Sequence, residues 1–189
     1  MLIGVLDIMG SVEEHEAALK KCGVVVCAVK APEDLEKIYG LIIPGGESTT
    51  LSKLIEQYHL SIEKYDFPVW GTCAGAILLA KHVSNRPPRS LRLMDMTIDR
   101  NGYGRQINSF ETDFQIPALG GRPFHGIFIR APIIQKTGKK SRILAEYDGF
   151  PVMVEEGKYL ATTFHPELTT DLRIHEYFIN MVRTWKKSK

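Results

Sequence analysis

Residues 71–75, with the sequence GTCAG, hold the side chain of this chain best suited to nucleophilic chemistry. A short apolar run at 67–70 precedes them, and a run of helix formers at 76–81 follows. A strand, a glycine-flanked turn and a helix are the setting of a nucleophile elbow, here with Cys in place of Ser. The turn sets the sulfur at a helix N-terminus, where free N–H groups and the helix dipole favour the reactive thiolate. We therefore expect Cys73 to be a nucleophile; the alternative is a small buried Cys on a glycine-rich turn.

A nucleophilic Cys needs a general base, and His165 in the segment TFHPEL is the best candidate. Pro166 biases His165 towards an extended conformation, in which residues two apart point the same way. Glu167 would then lie beside the imidazole, fix its tautomer and stabilise its charged form. The alternative is a His at a strand end with an unrelated exposed Glu. His125 is the main rival base, although it lacks an acidic residue two positions later.

The loop at residues 44–50, with the sequence PGGESTT, supplies a third element. Its two glycines let backbone N–H groups face a ligand. No Gly-Lys-Ser/Thr follows, so a Walker phosphate loop is excluded. An oxyanion or carboxylate site fits better, and we assign the oxyanion donors as the N–H groups of Ala74 and Gly46.

The elements that must position these residues alternate between strand and helix in the first half of the chain. Leu2–Leu6 and Val12–Lys21 predict a strand and a helix, the latter with Ser11 as N-cap and Glu14 at capping-box spacing. Further strands are predicted at 24–29 and 39–43, with helices at 32–37 and 48–58. Such repeats indicate an α/β fold with a parallel sheet and helices on both faces. Residues 85–125 indicate loops and an antiparallel section, followed by strands at 126–129, 142–146, 151–155 and 159–163 and a helix at 172–186.

Composition narrows the class of protein. The chain has 189 residues, 44% apolar and 24% charged, which predicts one globular domain over 1–189. A net charge of +2 gives no argument for nucleic acid. Three cysteines form no disulfide framework, and the spacing of Cys22 and Cys27 is not that of a zinc site, so we expect no metal and no cofactor. No basic leader and no apolar run of about 20 residues is present, which favours the cytoplasm and no membrane contact.

These elements, in this order, resemble the glutaminases of the triad-type glutamine amidotransferases. Within that superfamily the chain closely resembles the glutaminase subunits of pyridoxal 5′-phosphate synthases. The resemblance rests on residues 44–50, 71–75, 100–106, 109–111, 128–132 and 164–168.

The resemblance implies a flavodoxin-like three-layer α/β sandwich that hydrolyses L-glutamine to glutamate and ammonia through Cys73, His165 and Glu167. The implied partner is a (β/α)₈-barrel synthase subunit, which uses the ammonia to build the vitamin B6 cofactor. A guanidinium suits the glutamine carboxylate and a carboxylate suits its ammonium. The family usually has Gln where this chain has Met9. The implied glutamine contacts are Gly46, Glu47, Ser48, Arg100, Ile129 and Arg130.

Two alternatives remain open from the sequence. One is a glutaminase serving another synthase, such as the one that makes imidazole glycerol phosphate; the chemistry is then unchanged and only the partner differs. The other is a non-catalytic relative, a redox sensor or chaperone, because a reactive Cys at a helix N-terminus suits a sensor too.

Overall fold

The computed structural model describes residues 1–85, 88–102 and 109–188. The larger sheet has seven strands. The described strands are β1 (Leu2–Leu6), β2 (Val25–Val29), β3 (Leu41–Ile43), β4 (Val69–Thr72), β5 (Ala80–Ser84), β6 (Met94–Asp99), β7 (Ser109–Phe114), β8 (Phe124–Ile129), β9 (Ile133–Thr137), β10 (Arg142–Tyr147), β11 (Phe150–Glu156) and β12 (Tyr159–Thr162). The described α-helices are α1 (Val12–Lys21), α2 (Pro32–Leu35), α3 (Ser48–Gln57), α4 (Ala74–Leu79) and α5 (Arg173–Lys187).

The seven strands lie in the order β10-β11-β12-β4-β3-β1-β2. The pairs from β12 to β2 are parallel, whereas β10 and β11 pair antiparallel at one edge. The predicted α/β fold, a mostly parallel sheet with antiparallel strands from the second half of the chain, is confirmed. β5, β6 and β9 form a second small sheet, and β7 and β8 form a hairpin.

The strand order explains why distant segments meet. β4 lies between β3 and β12, with Gly71 opposite Ile43 and Thr72 opposite Thr162. In parallel strands the carboxyl ends share one edge of the sheet, where ligands of open α/β sheets bind. The residues that follow β4, β3 and β12 are Cys73, the 44–50 loop and residues 163–165, so three predicted site segments converge there.

Side-chain alternation along the strands builds a core on each face of the sheet. Leu41 and Ile43 of β3 pack in one cluster with residues of α2, α3 and α4. Ile42, between them, packs in the other cluster with residues of α1 and α5. This is the period of two expected for a strand that is buried on both faces.

Two predictions about the ends of α1 and α4 were wrong. The run after the elbow was predicted as helical over 76–81, but α4 ends at Leu79 and β5 begins at Ala80. Pairing of β5 with β6 overrides the helix propensity of these residues. The predicted capping box at α1 is also absent, because the Ser11 side chain makes no cap hydrogen bond and donates to Glu167 instead, at 2.6 Å.

Across the ranges given above, none of the helices has the length and apolar character needed to cross a bilayer.

Candidate active site

Cys73 occupies the strained turn between β4 and α4. Its φ is 47°, a left-handed value that is costly for a residue with a Cβ and is common at functional sites. A Cβ on Gly71 would lie 2.4 Å from the Gly75 carbonyl carbon, and one on Gly75 would lie 2.0 Å from the Ile43 oxygen. Both flanking glycines are therefore required by close backbone approach. The predicted elbow is present.

The imidazole of His165 lies against Cys73. Against the lowering effect of burial, interaction with Cys73 raises the pKa of His165, and the Nδ1 atom of His165 lies 2.7 Å from Oε1 of Glu167. The nitrogen left for the sulfur is therefore Nε2. The His165 N–H donates to the Ile127 carbonyl at 2.8 Å, so β8 holds the backbone that carries the ring. The structure thus brings together the three side chains that the sequence singled out.

The backbone conformation that places Glu167 beside His165 differs from the predicted one. The sequence predicts an extended chain at both residues. Instead, Pro166–Leu168 forms a short 3₁₀ helix, with His165 at its N-cap position. Pro166 fits the first turn of such a helix because it has no N–H to leave unpaired. The turn brings the carboxylate back to the ring.

Hydrogen bonding and charge set the protonation states of this pair. Burial alone would lower the pKa of His165, but its interactions with Cys73 and Glu167 outweigh that effect and raise the pKa to about 10. Burial alone would raise the pKa of Glu167, but the electrostatic influence of His15 and hydrogen bonds from His165 and Ser11 lower it to about 2. At neutral pH the imidazole therefore holds a proton beside an ionised carboxylate.

The glycine-rich loop packs directly on this group. A Cβ on Gly45 would lie 2.4 Å from Cε1 of His165 and 3.4 Å from Cβ of Cys73. Gly46 follows with φ of 152°, and its position faces the Met9 side chain, whose Cε would be 3.5 Å from an added Cβ. Ala74 is the first residue of α4, where backbone N–H groups have no partner within the helix. The two predicted oxyanion donors, Gly46 and Ala74, are thus the immediate chain neighbours of Gly45 and Cys73.

Glu47 and Arg100, predicted to contact opposite ends of glutamine, contact each other. The Glu47 carboxylate caps α3 by accepting from the N–H groups of Thr49 at 3.0 Å and Thr50 at 2.7 Å. Arg100 Nη2 donates to its Oε1 at 3.0 Å. Burial opposes the ionised form, but the bonds from Thr50 and Thr49 outweigh it and lower the pKa of Glu47 to about 2. Ser48, the first residue of α3, is buried.

Ile129, the last residue of β8, lies beside Cys73, and Arg130 follows it. The Cys73 sulfur lies 3.7 Å from the Ile129 carbonyl oxygen. Arg130 has φ of 44°, a strained value for a non-glycine residue, and its side chain is exposed. The structure therefore places the Ile129 backbone beside Cys73, with Arg130 as the next residue along the chain.

Four residues that the sequence argument did not select also touch the site. Ser11 and His15, from the start of α1, contact Glu167, and His15 in turn contacts Thr72 and His175. A sequence signal existed, since His15 and His175 stand at buried positions of amphipathic helices. A polar side chain on an apolar helix face calls for a buried partner.

The rival base, His125, lies elsewhere in the fold. It sits on the exposed β7–β8 hairpin, where its ring contacts Asp113 at 2.7 Å and Glu111 at 2.9 Å. These two carboxylates raise the pKa of His125. Glu111 and Asp113 lie on β7, the strand paired with β8, so the residues that follow His125 in the sequence do not reveal them.

Part of one family segment, residues 103–106, lies outside the described residues. Within residues 1–85, 88–102 and 109–188, no group of three His, Cys, Asp or Glu side chains is placed to hold a metal ion.

The fold is that of the glutamine amidotransferases. A crystal structure described as a glutamine amidotransferase superposes with a TM-score of 0.90 and 41% identity over 96% of this chain and 98% of that one. A structure described as PurLQS from Thermotoga maritima covers 95% of this chain and 97% of that one; at 14% identity and a TM-score of 0.68, it shares the fold alone.

Residues 5–184 match the SNO glutamine amidotransferase family, and the chain belongs to that family. It is 52% identical to the pyridoxal 5′-phosphate synthase subunit PdxT of Thermotoga neapolitana, over 97% of this chain and all of that protein. It is 46% identical to the PdxT subunit of Pelotomaculum thermopropionicum over 95% of this chain and 94% of that protein. The resemblance predicted from the motifs is confirmed.

Proposed function

We propose that this chain is the glutaminase subunit of a pyridoxal 5′-phosphate synthase and hydrolyses L-glutamine through Cys73, His165 and Glu167. The observation that carries the proposal is the contact of the elbow Cys with an imidazole that a buried carboxylate holds at 2.7 Å. The family and the near-complete coverage of PdxT relatives support the substrate and the pathway.

The first half of the reaction forms a thioester. The imidazole of His165 already holds the proton of the Cys73–His165 pair, and the sulfur of Cys73 attacks the side-chain carbonyl carbon of glutamine. The carbonyl π electrons move to oxygen, and the oxyanion accepts hydrogen bonds from the N–H groups of Gly46 and Ala74. As the tetrahedral intermediate collapses, the C–N bond breaks and His165 gives its proton to the leaving ammonia.

The second half releases glutamate. His165, now neutral, takes a proton from a water molecule that attacks the γ-glutamyl thioester. The same two N–H groups stabilise the second oxyanion, and the C–S bond breaks to give glutamate and Cys73. Glu167 keeps Nδ1 of His165 protonated throughout, so Nε2 is the atom that exchanges the proton with sulfur, ammonia and water.

The residues around the nucleophile suit the α-amino acid end of glutamine. We assign substrate contacts to Gly46, Glu47, Ser48, Arg100, Ile129 and Arg130. Glu47 and Arg100 form an ion pair with each other. In the complex we assign the Glu47 carboxylate to the ammonium of glutamine and the Arg100 guanidinium to its carboxylate.

We place the chain in the cytoplasm as a single domain over residues 1–189, with the ammonia passed to a (β/α)₈-barrel synthase subunit. All three cysteines are free, which suits a reducing compartment. The reaction needs no cofactor and no metal, because the thiol, the imidazole and the backbone donors supply each step.

The test is ammonia release from glutamine with the synthase subunit present. Cys73→Ala removes the nucleophile and should abolish turnover. Cys27→Ala is the matched control, since Cys27 is a second free cysteine, on β2, and should leave turnover unchanged. Wild-type turnover in Cys73→Ala would refute the proposal.

Two further measurements separate the alternatives. A glutamine-analogue electrophile should alkylate Cys73 and glutamine should protect it, whereas a redox sensor has no reason to recognise glutamine. Binding to a pyridoxal 5′-phosphate synthase barrel, but not to the barrel that makes imidazole glycerol phosphate, would identify the partner; the reverse result would assign the chain to another synthase.

A further inference from the structure

Two buried histidines, His15 and His175, lie near Glu167, and His15 faces the carboxylate oxygen that His165 does not contact. His15 comes from α1 and His175 from α5, and both are fully buried. His15 Nδ1 lies 3.0 Å from His175 Nε2, and His15 Nε2 lies 3.4 Å from Oε2 of Glu167. The edges and faces of both rings pack against Trp70, at centroid distances of 5.4 Å and 5.0 Å. An apolar side chain of the same size would fill either place, so the polar pair calls for an explanation.

In the part of the chain that the structure describes, one oxygen of the Glu167 carboxylate, Oε2, lacks a well-aligned hydrogen-bond donor, and His15 lies beside it. Oε1 of the carboxylate accepts from Ser11 at 2.6 Å and from His165 at 2.7 Å. Oε2 is buried and has no hydrogen bond of good geometry among the described residues, while Nε2 of His15 stands 3.4 Å from it. A proton on that nitrogen gives the ionised oxygen a facing donor, whereas a lone pair there would repel it.

The rest of the chain of contacts fixes the tautomers. If Nε2 of a neutral His15 carries the proton, its Nδ1 is an acceptor, and His175 must donate from Nε2. That leaves Nδ1 of His175 without a proton, and this buried atom has no hydrogen-bond partner in the described part of the chain. An unpaired buried acceptor costs less than an unpaired N–H. One arrangement therefore satisfies every contact: His175 donates to His15, and His15 donates towards Glu167 and the Thr72 hydroxyl at 3.3 Å.

We propose that His15 and His175 are positioning residues for the glutaminase reaction: neutral imidazoles, aligned in one donating direction, that hold the Glu167 carboxylate ionised and aimed at His165. This inference rests on the proposed function, since it assigns work to the third member of the triad. Neither ring touches the substrate or the sulfur in this scheme.

The charge states agree with this arrangement. Burial lowers the pKa of His15, and the charge of His165 adds to the effect, while Glu167 and Glu14 oppose it. Burial lowers the pKa of His175 to about 3, with His15 adding to it and Glu167 opposing. Both rings are then neutral around pH 7. A neutral donor stabilises Glu167 without adding a positive charge that would compete with the imidazolium of His165.

The kinetic test compares two substitutions at one position. His15→Leu keeps the volume and removes the donor, whereas His15→Gln places an amide N–H₂ near the position of Nε2. We expect His15→Leu to lower kcat about tenfold, the value of one hydrogen bond to a charged group, with KM for glutamine unchanged. His15→Gln should recover most of the loss. Equal kcat values for wild type and His15→Leu would overturn the inference.

A double-mutant cycle separates positioning from general destabilisation. In a Glu167→Gln background the carboxylate is gone, so adding His15→Leu should cost little further activity. If the two losses multiply instead, His15 does not act through Glu167. Should Cys73→Ala and Glu167→Gln both keep wild-type turnover, the proposed function itself fails; should they lose it while His15→Leu does not, only the present inference fails.

A spectroscopic test needs no substitution. Long-range ¹H–¹⁵N NMR spectra of the wild-type chain distinguish protonated from unprotonated ring nitrogens. We expect neutral rings with the proton on Nε2 for both His15 and His175 between about pH 7 and 8. A proton on Nδ1 of either ring, or a charged ring in that range, would refute the assignment even if the His15 variants failed to fold.

Discussion

Gly45→Ala offers the sharpest test of the proposed catalytic geometry, because the substitution adds one carbon at the point where the loop contacts His165 and Cys73. The new Cβ would lie 2.4 Å from Cε1 and 3.1 Å from Nδ1 of His165, and 3.4 Å from Cβ of Cys73. Gly45 does not have the left-handed φ of its neighbour Gly46, so Ala suits the backbone. The collision therefore falls on the imidazole rather than on the chain.

The size of the effect follows from these distances. Ordinary contact begins at 3.4 Å, so the ring or the loop must give by about 1 Å. The ring has little freedom, since Glu167 holds its Nδ1 at 2.7 Å. A misplacement of about 1 Å at a reacting group costs about 100-fold in rate, and we expect kcat to fall by that factor. Overpacking costs about 1–3 kcal/mol, which a folded domain tolerates.

The assay is glutamine-dependent ammonia release with the synthase present, paired with a thermal melt of each variant. Gly121→Ala is the matched control, because nothing lies within 4 Å of a Cβ there and its φ is not left-handed. The control should match the wild type in both measurements. A folded Gly45→Ala variant with wild-type kcat would show that the position of His165 does not limit the reaction.

Three further predictions concern charge and capping. Glu167 ionises with a pKa of about 2 in the folded state against 4.5 ordinarily, so its contribution to stability is present above pH 4.5 and is lost as the pH falls towards 2. The free energy of unfolding of Glu167→Gln, from urea titrations, should therefore fall less over that interval than that of the wild type. Cys73→Ala removes one of the two side chains, Cys73 and Glu167, that raise the pKa of His165 to about 10, so an NMR titration of the imidazole should give a lower pKa than in the wild type. Glu47→Ala removes the α3 cap and the partner of Arg100; it should lower the free energy of unfolding by about 1 kcal/mol and raise KM for glutamine, and an unchanged KM would remove Glu47 from the substrate site.

The sequence predicts the grouping of Cys73, His165 and Glu167 because much of what determines it is local. The elbow needs glycines at two fixed positions around Cys73, and those positions are visible in the chain. His165 and Glu167 are two residues apart, so any turn that folds back brings them together. The contact between Cys73 and His165 could be inferred only from chemistry, since nothing in either segment states that β4 and β12 are neighbours.

The errors in prediction have a different cause. Residues 76–81 have good helix propensity, yet the chain leaves the helix at Ala80 because β6 offers a paired strand. Ser11 has ideal cap spacing with Glu14, but its hydroxyl turns to Glu167, 156 positions away in the chain. In each case a long-range partner outweighs a local preference, and a single sequence does not reveal such partners.

The hydrogen bond from Ser11 to Glu167 joins the start of α1 to the segment that carries His165 and Glu167. Losing a cap hydrogen bond costs about 0.5–2 kcal/mol, whereas a hydrogen bond to a buried charged group contributes about 1.5–3 kcal/mol. Replacing the cap hydrogen bond of Ser11 with its bond to Glu167 is therefore favourable as long as Glu167 stays ionised. Because α1 also carries His15, the helix presents two donors to one carboxylate, and its position on the sheet is tied to the charge of Glu167. It follows that Glu167→Gln should loosen the start of α1, and hydrogen exchange at residues 12–15 should quicken in that variant while exchange in α3 does not change.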